Sequence, residues 1–467
     1  MPLTGQSSFI SQYHCPFLVR NLIERSQYKQ MAEPQIPPIP RPKTPILTGV
    51  PDIVEEDDDD EDPDVAPRRL YFANSMQVIN INMVFTSNDL IPEYPQRSFR
   101  PAMVHQIFGE DGIIYGYRNL NIDIYFLANS AKCFVDLQYT EVTTADMPNH
   151  SAPDDILKKL SPWLPEKYCL DKKQFISKVL KENHRKTFGT FIDCVQLYNE
   201  KEKTLHNYTY TLCTGNDPQF RKFHSRFQCM IVWYIDGASQ IDVEDPNWMF
   251  IYVYETRKRS RYCDTSGIYP VGFATIYKFF HYPDKVRARI SQFFIIPPCQ
   301  GVGIGTHLLK NAYLAIRNLH NVVDITVEEP CPAFTRMRDF LDCQLVMQLE
   351  PFKESVIHNG YTNAMFVEAN KQYKINKRQT RRSYEILRFA YIRCDKGDVN
   401  YSQLYDEISD RLKIPLTREL RTPRKVKACD KTVDNSIETL LYVEANIKKY
   451  MMDITDAAFS FNSKLLQ

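Results

Sequence analysis

The sequence has almost no net charge. Its 58 Lys and Arg offset 57 Asp and Glu to leave +1, so no global field draws the chain toward nucleic acid or a membrane surface, and a charged partner must be read by a local patch. It also lacks paired cysteines. Twelve are present, none in a Cys-x-x-Cys arrangement, and the closest two are Cys331 and Cys343, which argues against a zinc site and a disulfide framework and favours a reducing compartment. No run approaches the ~18 apolar residues of a membrane span. Gln12, His14, Arg20, Glu24 and Arg25 interrupt the apolar stretches of the first thirty residues, so no signal-peptide core is expected, and cytosol or nucleus is the expected setting. The glycosylation sequons at Asn149 and Asn207 carry no weight there.

What is present suits a folded chain. Over 467 residues, 43% hydrophobic and 12% aromatic content supplies apolar surface for two or three domains. Residues 1 to 68 are the exception: the Pro-rich Pro37 to Pro42 and eight consecutive acids from Glu55 to Asp62 predict a disordered tail. From residue 69 to 218 the pattern is that of an α+β domain, with a strand over Asp123–Leu127 and a helix over Lys173–Lys181. Met230–Ile235, Trp248–Tyr254 and Val271–Tyr282 read as an antiparallel meander with a turn at Asp264–Gly267. Ile290–Ile296 reads as a buried strand stopped by Pro297 and Pro298. A glycine loop follows, then a helix marked by Ile304, Leu308, Leu309, Ala312 and Ile316, and then a strand over Val322–Val327. We place a catalytic domain at 219–370 and a helical domain at 371–467. In the latter, Lys377 to Arg393 is basic on one side and carries Tyr384, Leu387 and Tyr391 on the other.

The loop Gln300-Gly301-Val302-Gly303-Ile304-Gly305 can aim successive backbone N–H groups into one concavity, and the helix beginning there adds the positive end of its dipole. Such a loop suits a pyrophosphate, and it equally serves as a tight strand-to-helix turn with no ligand. A Walker loop is excluded because Thr306-His307-Leu308 stands where Gly-Lys-Ser/Thr belongs. A dinucleotide fingerprint finds acids in Asp324 and Glu328, roughly twenty residues on, but its third glycine position is Thr306 and no crossover helix separates the preceding strands. Glu328 and Glu329, adjacent at the end of the strand after the loop helix, are either a pair in which like-charge repulsion makes one a usable base or a solvated acidic strand end.

Gln300-x-x-Gly303-x-Gly305 behind a strand resembles the acetyl-CoA motif of the GNAT acetyltransferase superfamily. Together with Trp233–Asp245, His281–Lys285, Asp324–Pro330, Arg338–Phe340, Tyr373–Lys377 and Tyr384–Arg388, it resembles the family of type B histone acetyltransferase catalytic subunits, over about residues 90 to 395. The resemblance implies an α/β (α+β) fold: a GNAT acyl-CoA N-acyltransferase domain with a mixed, mostly antiparallel sheet, an α+β domain before it and a helical domain after it. It implies acetyl transfer from acetyl-CoA, without a metal, to lysines in the N-terminal tail of newly synthesised histone H4. A WD-repeat histone-binding chaperone would be the partner, in nucleus and cytoplasm, and no membrane is involved. It further implies that Glu328 is the base beside Glu329, and that Asp236 is a second carboxylate, one methylene shorter than the family's usual glutamate. Phe293, Phe294 and Ile295 would bind the pantetheine arm by their main chain, their side chains packing in the core. Gln300, Gly301, Val302, Gly303, Ile304, Gly305 and Thr306 would hold the phosphates. Glu110, Asp111 and Gly112, with Tyr277, Lys278 and Phe279, would meet the histone, and Tyr277 and Tyr282 are candidates for protonating the departing sulfur. The rival expectation, prompted by Asp236 and the acidic tail, is a histone-binding scaffold that has lost turnover. The basic run Lys377–Arg382 is expected to be a solvated face rather than a nucleic-acid site.

Overall fold

The structure is a computed structural model and describes residues 70–91, 97–144, 151–182, 186–260, 263–392, 399–421 and 435–465; the tail expected over 1–68 lies outside them. The chain divides at residue 333 into two compact units.

In the unit before residue 333, a four-stranded sheet comes first: Ile79–Val84 (β1), Arg97–Phe99 (β2), Asn121–Leu127 (β3) and Cys133–Gln138 (β4), in the order β2-β1-β3-β4 with β1 and β3 parallel. β3 contains the expected strand at Asp123–Leu127. Lys172–Leu180 (α1), capped by Asp171 through the amides of Lys173 and Gln174, is the expected helix.

Six strands form the second sheet: Thr190–Asn199 (β5), Thr204–Thr214 (β6), Trp248–Ser260 (β7), Cys263–His281 (β8), Lys285–Ile295 (β9) and Val322–Val327 (β10), paired in sequence order. Every pairing is antiparallel except β9 with β10, which is parallel. β5 and β6 lie before residue 218, so the sheet runs across the edge expected there; β6 and β7 stay in register from Asn207↔Thr256 to Thr214↔Met249. Asp264–Gly267 is not a turn: Ser266 and Gly267 pair with Lys258 and Arg257 inside the β7–β8 ladder.

Two helices cover the sheet. Pro218–Phe227 (α2), capped by Asp217 and opened by a proline at its first position, buries Phe220, Phe223, His224 and Phe227. These rings meet Phe250, Tyr252 and Phe273 of β7 and β8. Ile304–Arg317 (α3) lies on the other face, where Tyr210 of β6 hydrogen-bonds the Ile304 carbonyl and Val253 is its registered neighbour. The stretch expected as a strand over Met230–Ile235 is instead a 3-10 turn, Gln228–Trp233, every residue of which is buried. An unbroken apolar run has no period, and here it continues α2 instead of starting a strand.

The unit from residue 333 onward is helical: Pro332–Val346 (α4) leads into it, followed by Asn363–Tyr373 (α5), Lys377–Tyr391 (α6), Val399–Arg421 (α7) and Asn435–Leu465 (α8). Its own core includes Val346, Met365, Tyr384, Leu387, Leu404 and Ile454. The basic run of α6 is not simply solvated. Arg382 pairs with buried Asp339, while Arg381 and Arg411 flank Glu385, which is fully buried.

Candidate functional site

The site begins where two parallel strands part. β9 pairs with β10 only from Val286↔Val322 to Ile290↔Val327, and the Glu328 amide makes the last link, donating to the Ile290 carbonyl at 2.9 Å. Beyond it the chain leaves through Glu329 at φ +32° and Pro330, while β9 runs on beside β8 to Ile295. A register shift between Ala274 and Ile276 accompanies the parting, and there the Gln292 amide donates to the Thr275 hydroxyl at 2.9 Å. Such a bulge bends and twists its strand. Phe294 is buried, stacked on Tyr234 with centroids 5.5 Å apart, as a core side chain would be; Ile295 is buried and Phe293 half-buried.

The glycine loop closes over the end of β9. Gln300 reaches back and donates from Nε2 to the Ile295 carbonyl at 2.8 Å. Gly301 and Gly303 have φ of +88° and +93°; a Cβ at Gly301 would have no atom within 4 Å, and at Gly303 only Leu197 Cδ1 at 4.0 Å. Backbone conformation, not crowding, therefore demands glycine, and the space above the loop is open. Gly303 caps α3 without a side-chain hydrogen bond, and the first turn has no acid. The amides that open α3, from Ile304, Gly305 and Thr306, lie in the turn where no intrahelical acceptor exists, and the helix dipole is positive there. These donors and this space fit a pyrophosphate.

One carboxylate meets β9 directly. Ser291 Oγ donates to Glu328 Oε2 at 2.5 Å, Arg289 Nη1 stands 3.9 Å from Oε1, and the Glu328 side chain is half-exposed. Glu329 is exposed. Asp236, 77% exposed, is 3.0 Å from His105 Nε2. Its loop is tied to β9 twice: Gln292 Nε2 donates to the Ser239 carbonyl at 2.8 Å, and Tyr234 stacks on Phe294. The region before β5 also docks here, with the Ala102 and Met103 amides donating to the Trp233 carbonyl. Sequence reasoning missed Arg289, Ser291 and His105. The first two were detectable, because Arg287, Arg289 and Ser291 alternate with buried Ala288, Ile290 and Gln292 from a strand start at Lys285.

Glu110, Asp111 and Gly112 form a turn. The Gly112 carbonyl accepts from the Ser75 amide and hydroxyl at 2.9 and 2.6 Å, and at φ +60° a Cβ there would lie 3.0 Å from Val104 Cγ2, so the glycine is required by the turn itself. Glu110 and Asp111 remain exposed beside it. Tyr277 meets Trp248 and Phe279 edge-on at 4.7 and 4.6 Å, and its hydrogen bond to the Asp245 carboxylate holds its phenol above the ordinary range. Lys278, half-buried between them in sequence, donates its amide to the Asn247 carbonyl. The Arg289 guanidinium lies 4.5 Å from the Phe279 ring centroid, so one side chain links this aromatic group to Glu328. Tyr282 lies past the end of β8, where His281 pairs with Lys285. Six residues of β9 separate that turn from Ser291, roughly 20 Å at the rise of a strand, too far for Tyr282 to protonate a group beside Glu328.

The profile of the histone acetyl transferase HAT1 N-terminus matches residues 71–236, that of the GNAT acetyltransferase family 222–330, and that of the C-terminal part of the histone acetyltransferase type B catalytic subunit 338–389. The human protein named histone acetyltransferase type B catalytic subunit is 31% identical over 367 residues, covering 77% of this chain and 84% of its own. The mouse protein of that name is 31% identical over 374 residues, with 77% and 85% covered. A Dictyostelium discoideum protein of the same description is 30% identical over 324 residues, with 68% and 64% covered. Among solved structures, an aminoglycoside acetyltransferase from a soil metagenomic sample aligns with 26% of this chain and 78% of its own at 17% identity, with a TM-score of 0.20 too low to carry weight. The parted strands and the glycine loop lie inside the acetyltransferase match, and the protein is an acetyltransferase with the GNAT fold. With three profiles in chain order and relatives covered over most of their length, the chain belongs to the family of type B histone acetyltransferase catalytic subunits.

Proposed function

We propose that this enzyme transfers an acetyl group from acetyl-CoA to lysines in the N-terminal tail of newly synthesised histone H4, in nucleus and cytoplasm, beside a WD-repeat histone-binding chaperone. The observation that carries the reading is Glu328, held by the Ile290 carbonyl and the Ser291 hydroxyl at the mouth of an opening whose far end is the glycine loop. The names of the relatives support a histone substrate.

Acetyl-CoA bound there supplies a thioester whose acetyl carbon a lysine amine can attack. Gln300, the three glycines and the first amides of α3, including that of Thr306, take the phosphates, and the main chain from Phe293 to Ile295 aligns the pantetheine arm. A backbone amide there can also polarise the carbonyl. Glu110 and Asp111 draw a Lys-rich, Gly-rich peptide by charge, and Tyr277, Lys278 and Phe279 border its path. Glu328 takes a proton from the lysine ammonium. The freed amine bonds to the acetyl carbon, the carbon–sulfur bond breaks as the nitrogen gives up its second proton, and that proton reaches the departing sulfur through solvent, so that CoA leaves as the thiol with no covalent enzyme intermediate. Asp236, exposed and one methylene short of glutamate, acts through its charge or a water.

The test is transfer of labelled acetyl from acetyl-CoA to an H4-tail peptide by purified protein. Glu328→Gln is expected to lose at least ~100-fold in rate, the low end of what a general base contributes. Equal, poor transfer by both proteins with peptide binding retained would make the chain a scaffold instead.

A further inference from the structure

Just ahead of β5, between the β3–β4 turn and α2, lies a cavity of about 210 Å³. Lys132, Lys186, Lys222 and Arg226 line it, against a single carboxylate, Glu182. Glu182 is itself nearly buried and stands 3.7 Å from Lys132, offsetting that charge. The other three cations form no ion pair among the described residues. Lys186 lies 4.8 Å from the Phe188 ring centroid and bonds Gln219, Lys222 sits exposed at the rim, and Arg226 Nε donates to the Ser130 carbonyl at 2.7 Å. Three cations converging on one concavity repel a histone tail and attract an oxyanion.

Two further features narrow the ligand. Asn129 is 6% exposed; its Nδ2 donates to the Ile268 carbonyl at 2.5 Å, which fixes the amide orientation, while its Oδ1 is buried with no hydrogen-bond partner. The Ser130 hydroxyl is likewise buried and unpartnered. A buried acceptor calls for a donor, which the phosphate group of an ester dianion lacks and a free hydroxyl of that ester supplies. Phe188 and Phe223, stacked 4.9 Å apart, supply an apolar wall for a short carbon skeleton. The space of about 210 Å³ has room for a phosphate and a few carbons.

We propose that this cavity binds a small phosphate ester carrying free hydroxyl groups, with Lys186, Lys222 and Arg226 on the phosphate and Asn129 and Ser130 on a hydroxyl. The site is separate from the glycine loop, and the proposal stands whether or not the acetyl-transfer reading does.

Calorimetric titration of the full-length protein, with CoA saturating so that the loop at 300–305 is filled, tests it with glycerol 3-phosphate and methyl phosphate, which has no hydroxyl, as probes. Glycerol 3-phosphate is expected to bind at least about threefold more tightly than methyl phosphate, and Lys186→Gln with Lys222→Gln to weaken both at least about tenfold. Ser130→Ala should keep methyl phosphate affinity and reduce the preference for glycerol 3-phosphate. Absence of binding with CoA in place, or equal affinity in the double variant, overturns the site; methyl phosphate binding as tightly as glycerol 3-phosphate overturns the hydroxyl assignment. Should the double variant misfold, Lys222→Gln alone, at the exposed rim, provides the same comparison.

Discussion

One hydroxyl fixes where the proposed base points. Ser291 donates to Glu328 at 2.5 Å from the strand that would also align the thioester, so it acts as a positioning residue. Ser291→Ala should lower kcat about tenfold, in line with a hydrogen bond to a charged group, with peptide KM little changed; Ser291→Thr should restore the rate. A fall in peptide affinity with kcat intact would reassign Ser291 to binding. Gly303→Val places a β-branched side chain at φ +93° and in the open space above the loop, so CoA affinity measured by titration should collapse, and unchanged affinity would refute the cradle. Individual residues were unevenly legible. Gly301 and Gly303 could be read because the positive φ of a strand-to-helix turn constrains sequence locally. The contact of His105 with Asp236 spans 131 positions and leaves no local trace.

Among the elements, those with a clean period were legible: α3 from its apolar spacing, and β10 from a short β-branched run closed by Pro330. β5 was not, because as the outer strand of its sheet it is partly exposed on both faces and shows only a weak alternation. The basic run of α6 misled in part for a related reason: one partner, Glu385, is four residues on from Arg381 in the same helix, but Asp339 and Glu407 lie on α4 and α7, out of local view. Asp339, 2% exposed, accepts from Gln379 Nε2 at 3.0 Å and from Arg382 Nε at 2.9 Å. Removing it strands a partly buried guanidinium, so Asp339→Ala should cost about 3–5 kcal/mol of helical-unit stability in urea titration, while Asp339→Leu with Arg382→Met should cost far less. Equal losses in the two proteins would mean that volume, not the pair, is what matters.

For the molecule as a whole, one buried histidine contributes to the acid limb of stability. His224 is fully buried beneath the sheet with its Nδ1 2.6 Å from the Tyr252 hydroxyl, and burial lowers its pKa to about 3. The unfolded chain takes up a proton below about pH 6.5 that the folded chain refuses, so stability falls as pH drops, by about 1.4 kcal/mol per unit between about 6.5 and 3. His224→Gln should flatten that slope in unfolding measured from pH 7 to 4; an unchanged slope would put the acid sensitivity elsewhere. Domain edges were the least legible feature at this scale, since composition changes near residue 218 but hydrogen bonding does not. The ladder between β6 and β7 also bears on modularity. Two of the sheet's six strands lie before an edge that looks like a natural seam and four after it, so the N-terminal region and the acetyltransferase match cannot be exchanged as separate cassettes. Chimeras with the human relative joined at residue 333 should stay soluble, whereas those joined at 218 must rebuild a ladder from two sequences only 31% alike and should aggregate through the exposed edge of β7.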